Sequence, residues 1–180
     1  MAWASGKRFV VALCAALSCG GAWAAPSEYE VKAAFIHNIA KFVEWPAASP
    51  VSGSARLCVA GKDPFGGALD ALQGKRIGEL NWEIVRVDAG ASLKKCRVLF
   101  IATSERSRFG QVLEGVANSP VLTVGDTEGY AEQGVMVNFY QEGSNVRFEI
   151  NREAVRRAGL RVSSRLLSLS RVVHESEDEK

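Results

Sequence analysis

A chain of 180 residues with 47% hydrophobic and 23% charged residues has the balance of one ordinary globular domain, which excludes a disordered tract, a collagen-like repeat and a coiled coil. Its formal net charge is only +2 at pH 7. Neutralising phosphates takes clustered surplus Lys and Arg, so nucleic acid is not expected among its partners.

The first 24 residues read as a removable address. Residues 1–8 hold Lys7 and Arg8 with no acid, residues 9–17 are uninterruptedly apolar, and Ala22-Trp23-Ala24 precedes Ala25-Pro26. A basic start, a short apolar run and an A-x-A site make a secretory signal peptide, cut after Ala24. The expected organisation is therefore a signal peptide over 1–24 and a single α/β domain over 25–180, exported to the periplasm. Losing Lys7 and Arg8 with the signal leaves 20 basic against 20 acidic residues. Cys14 and Cys19 leave with it too, and Cys58 and Cys96 remain. In an oxidising compartment such a pair is a disulfide candidate, with two buried free thiols as the alternative.

After the cut, Ser27 is placed to cap a helix with Glu28 and Glu30 in its first turn and apolar positions at Val31, Ala34, Phe35, Ile39, Phe42 and Val43; Pro46 stops it after Trp45. A turn-rich stretch over 46–54 leads to a buried strand at 56–60. Asp63 then caps a short helix through Leu72 with Pro64 at its first position. Strands follow at 82–87, 97–102 and 120–124, separated by a brief turn at 92–95 and by a helix from Ser104 through Ala117. Strands alternating with helices predict right-handed crossovers and a Rossmann-like, mostly parallel sheet flanked by helices. Residues 135–140 and 145–150 flank Glu142-Gly143-Ser144 as a C-terminal β-hairpin. Asn151 caps a helix ended by Gly159. Ser163 or Ser164 then starts a last amphipathic segment with Leu166, Leu167, Leu169, Val172 and Val173, before an acidic tail at 175–179.

Chemistry is sparse along this chain. Its two histidines, His37 and His174, are far apart in sequence, and no G-x-S-x-G, H-E-x-x-H, Walker A or G-x-G-x-x-G string occurs. No catalytic, metal-ligating or cofactor-binding set is expected, and the chain reads as a binding protein rather than an enzyme. Open α/β sheets bind ligands at the carboxyl ends of their strands. That rule marks a crevice at Asp63, Phe65, Gly66 and Ser104 where a small-ligand sensor would hold its ligand; the plainer reading of the glycine-rich turn is a tight strand-to-helix connection.

Three stretches carry a family resemblance. They are Tyr29-Glu-Val-Lys-Ala-Ala-Phe-Ile-His-Asn-Ile-Ala-Lys-Phe-Val-Glu-Trp-Pro46, then Cys58-Val-Ala-Gly-Lys-Asp-Pro-Phe-Gly66, then Val137-Asn-Phe-Tyr140 with Val146-Arg-Phe-Glu-Ile-Asn151 and Gly159-Leu-Arg-Val-Ser-Ser-Arg-Leu-Leu167. In this order and spacing the chain resembles the YfiR family of periplasmic regulators. The resemblance implies a domain, often a homodimer, that binds the periplasmic sensory part of an inner-membrane diguanylate cyclase (YfiN-like) and represses cyclic di-GMP synthesis. It also implies an outer-membrane lipoprotein (YfiB-like) that sequesters the regulator. Family members carry a disulfide that Cys58 and Cys96 would match; a second pair found in some is missing here. The partner surface is expected on the last hairpin and helices. Phe139, Tyr140, Phe148 and Leu166 would be its apolar anchors there, and Arg147, Arg152 and Arg165 its planar donors. Phe148 and Leu166 suit a core equally well.

Overall fold

The computed structural model describes residues 25–47, 53–87 and 91–174; the expected signal peptide and acidic tail lie outside them. Helix α1 spans Glu28–Ala40. Its start is a reciprocal capping box: Ser27 Oγ accepts the Glu30 N–H, and the Glu30 carboxylate accepts the Ser27 N–H at 2.6 Å. The helix stops earlier than Pro46 requires, because Val43 is drawn into a two-residue strand, β1 (Val43–Glu44). The buried face also differs from the expected stripe. It comprises Lys32, Ala33, Ile36, Ile39 and Ala40, while Ala34 and Phe42 are exposed.

The sheet then builds in chain order. Strand β2 (Ser54–Ala60) is followed by a four-residue helix α2 (Gly67–Asp70), a short strand β3 (Arg76–Ile77) and β4 (Leu80–Val87). Strand β5 (Val98–Ile101) leads through a 3-10 segment at Thr103–Arg108 into α3 (Phe109–Val116) and β6 (Leu122–Gly125). Strands β7 (Val137–Glu142) and β8 (Asn145–Asn151) form the hairpin, registered Phe139 to Phe148 and Tyr140 to Arg147. Gly143, at φ +61°, supplies the left-handed turn residue such a hairpin needs. Helix α4 (Arg152–Arg157), strand β9 (Arg161–Val162), helix α5 (Ser164–Leu167) and strand β10 (Arg171–Val173) complete the described chain.

The strand order is β10-β8-β7-β6-β5-β2-β4-β3, with β4, β2, β5, β6 and β7 parallel. This is the mixed α/β architecture with a mostly parallel sheet that the alternation of elements predicts. The chain starts at β2, adds β4 on one side, then crosses to β5 on the other, so the winding reverses between β2 and β5. Period-two alternation sends Leu57, Val59, Val98, Phe100, Leu122 and Val124 to the α1 side, while Cys58, Ala60, Leu99 and Ile101 face α3. Both faces of the central strands are therefore dry, as parallel strands require.

Three local readings are corrected. Asp63 and Pro64 form a turn, not a helix start, and α2 begins at Gly67. Ser104 lies inside the 3-10 segment and caps nothing in α3. The last segment is no single helix. After α5, with Ser163 Oγ accepting the Leu166 N–H, the chain re-extends as β10, because its backbone completes the open side of β8 in parallel register, Val172 against Ile150.

Cys58 and Cys96 are bonded, with Cα atoms 5.8 Å apart, and both are buried on the α3 side. The bridge ties β2 to the loop entering β5. Cys58→Ser lowers unfolding stability by about 2 to 5 kcal/mol under oxidising conditions. Denaturant titration with and without reductant checks this, and identical midpoints would contradict it. A second link crosses the α1 face, where buried Trp82 donates its indole N–H to His37 Nδ1 at 2.8 Å. Burial, reinforced by Lys41 and Lys75, holds the His37 imidazole below its ordinary 6.5. The unfolded chain therefore binds the proton more readily, and the contribution is complete above pH 6.5 and lost as pH falls toward the folded-state value. His37→Gln, which keeps an acceptor without the titration, flattens that acid-side loss in urea titrations run across the same range.

Candidate functional site

The carboxyl edge of the parallel strands is where this topology places ligands, and most of it is filled from within. Gly61, at φ +90°, follows β2; a Cβ there would stand 2.4 Å from Ser104 Oγ, so the turns after β2 and β5 meet closely enough to admit only glycine. Ser104 Oγ accepts the Lys62 N–H at 2.8 Å. Asp63 accepts the Phe65 N–H at 2.8 Å and Arg86 Nε at 2.9 Å. Phe65 is a core residue, edge-on to Tyr29 and to Phe100. Gly66 is an exposed turn residue ahead of α2. The four crevice residues read from sequence thus lie close to the expected edge, with the side chains of three of them engaged in the protein's own turns and core.

Beside them lies an open cleft the sequence reading missed. It holds about 330 Å³ between the ends of β2 and β4 and the flank of α3, lined by Gly61, Val87, Leu93, Glu105, Arg108 and Val112 among others. Glu105 is buried and accepts from Arg108 at 2.5 Å; the Arg108 side chain is far more exposed.

Further along the edge, α1 is fastened by charge. Lys32 Nζ lies 2.8 Å from Asp126 and 2.5 Å from Glu28, and the Lys32 and Asp126 side chains are 5% and 4% exposed. Tyr29 donates to the same Asp126 oxygen at 3.1 Å, and burial together with that carboxylate pushes its phenol up to about 12. Glu28 also accepts from Gln141 of β7 at 2.6 Å.

The expected partner surface divides by strand alternation. Phe139, Phe148 and Leu166 are 1%, 6% and 3% exposed; Phe35 of α1 packs on both phenylalanines, so none of the three offers surface to a partner in this structure. Their neighbours face outward. Tyr140 lies beneath the Arg171 guanidinium at 4.3 Å, and Arg147 stands opposite Tyr140 on β8, paired with Glu142 at 3.2 Å. Arg171 is held by the buried Glu149, which also accepts from Asn138. Arg152 and Arg165 are exposed, and Leu169 and Val172, at 66% and 39%, are exposed apolar residues beside the β10 edge. Arg171 was absent from the sequence reading; its signal was the alternation of Arg171, Val172 and Val173 as a strand.

Removing one member of the buried pair tests the fastening. Lys32→Met costs about 3 to 5 kcal/mol, because Asp126 is left buried without its partner, and Lys32→Met with Asp126→Leu recovers much of the loss. A double-mutant cycle in urea checks it.

A family model described as YfiR/HmsC-like matches residues 29–171. The match runs from the first turn of α1 to the first residue of β10 and includes the disulfide, the fastened helix and the outward face of the hairpin. The chain belongs to the YfiR/HmsC-like family of periplasmic regulators of cyclic di-GMP signalling.

Proposed function

We propose that this domain binds the periplasmic sensory part of an inner-membrane diguanylate cyclase and holds the enzyme in its inactive state. An outer-membrane lipoprotein would relieve the restraint by competing for the regulator. A protein of this kind acts by differential affinity: it lowers cyclic di-GMP only as far as it prefers the quiet conformation of its partner.

The observation that carries the reading is the accessible end of the outer face of the C-terminal strands among the described residues. Tyr140, Arg147 and Arg171 share that face; the buried Glu149 holds Arg171 over the Tyr140 ring, and Glu142 pairs with Arg147. Aromatic and guanidinium groups held in place before binding lose little entropy on docking, and they are the residue types that dominate protein interfaces. The exposed Leu169 and Val172 extend the patch along the sheet edge.

Deleting the gene raises cellular cyclic di-GMP, and reintroducing the parent chain lowers it. An Arg147→Glu chain weakens capture of the cyclase by about tenfold or more while its own stability stays within about 0.5 kcal/mol of the parent. Unchanged cyclic di-GMP after deletion, with no cyclase retained on the immobilised domain, would overturn the proposal.

A further inference from the structure

We propose that the cleft between β2, β4 and α3 is a binding site for a small zwitterion with an apolar side chain, of the size and class of a free α-amino acid. Its position is the first argument. The winding of the sheet reverses between β2 and β5, and the cleft opens at the carboxyl ends of β2 and β4 beside that reversal, where a doubly wound sheet leaves a natural crevice. About 330 Å³ suits a ligand of few heavy atoms rather than a nucleotide.

The lining gives the class. Ala60, Val87, Leu93 and Val112 make an apolar floor. Glu105 and Arg108 put opposite charges on one wall, and they differ in freedom: the Glu105 side chain is 9% exposed, that of Arg108 45%. A buried carboxylate must always be paired. In this structure Arg108 supplies the pairing at 2.5 Å. A ligand ammonium can take over at Glu105 while the more exposed Arg108 turns to the ligand's carboxylate, so both charges of the wall stay neutralised through the exchange. Such an exchange favours a molecule bearing both charges: an amine alone leaves Arg108 without its partner, and a carboxylate alone leaves Glu105 without one. Lys94, exposed at the rim, adds to the attraction for the carboxylate end. Gly115 keeps the α3 side of the cleft low; a Cβ there would come within 3.4 Å of Leu93 Cδ1.

The inference is independent of the repression reading and is tested on the domain alone. L-leucine, N-acetyl-L-leucine and isopentylamine are titrated calorimetrically into the exported chain. L-leucine is expected to bind saturably, and the two half-charged analogues about tenfold or more weaker, the effect of losing one charged hydrogen bond. Glu105→Gln abolishes the preference for L-leucine over its acetylated form. Gly115→Leu, which fills the cleft from an exposed helix position and leaves Glu105 untouched, abolishes binding altogether. No saturable uptake of L-leucine, equal affinity for the acetylated form, or binding unaffected by Gly115→Leu would each overturn the proposal.

Discussion

The burial of Lys32 against Asp126 is the constraint on which the α1 half of the molecule depends. An ammonium and a carboxylate, each about 95% removed from solvent, are tolerable only together. Their mutual need sets where α1 lies across the sheet, with Tyr29 and Glu28 adding bonds to β6 and β7 from the same helical turn. The helix rotation that buries Lys32 is also the one that brings Phe35 over Phe139 and Phe148 and His37 within reach of Trp82. Turning the helix to bury the expected stripe would expose the lysine and leave Asp126 without its cation.

That placement bears on where the proposed partner would touch. With α1 on one face of β5 to β8 and α3 on the other face of the central strands, Tyr140, Arg147 and Arg171 remain accessible among the described residues on the outer face of β7, β8 and β10, while Asn138, Glu149 and Asn151 on that face are buried under the segment between β6 and β7. An antiparallel pair tolerates a face that is wet at one end where central parallel strands do not. Burial of Glu149 and Asn138 then fixes the arginine and tyrosine above them, so the face is polar at its surface yet rigid beneath.

Much of the fold was legible in the sequence because its signals are local. The cap residues Ser27, Asn151 and Ser163 do in the structure what their positions predict. The strand runs carry their own periodicity, and Cys58 and Cys96 are the two cysteines left to pair when the first 24 residues are read as a removable address. What escaped depends on distant partners. Lys32 looks like a solvent residue until Asp126, 94 positions away, is brought beside it. Val172 and Val173 fit an amphipathic helix as well as a strand, and only the open side of β8 decides between them. The partner-surface reading failed to use a signal it had. Two-residue alternation puts Phe139 and Phe148 on the face opposite Tyr140 and Arg147, so all four could not have been anchors on one surface.

The two surfaces proposed for one small domain raise the question of how they would communicate. The cleft borders the turn after β2 and the 3-10 segment after β5, whereas the hairpin face lies beyond β6, so a ligand signal would have to cross the sheet through β5 and β6. These central strands are stapled by the disulfide and packed on both faces, which makes them poor candidates for sliding. Any coupling is therefore better carried by α3, whose Phe109 stacks on Tyr130 at 4.2 Å, in the segment between β6 and β7 that also receives Asn138 and Asn151. Shifting that segment by a fraction of an ångström would disturb the Asn138–Glu149 bond, and with it the support beneath Arg171, without any rearrangement of the sheet itself.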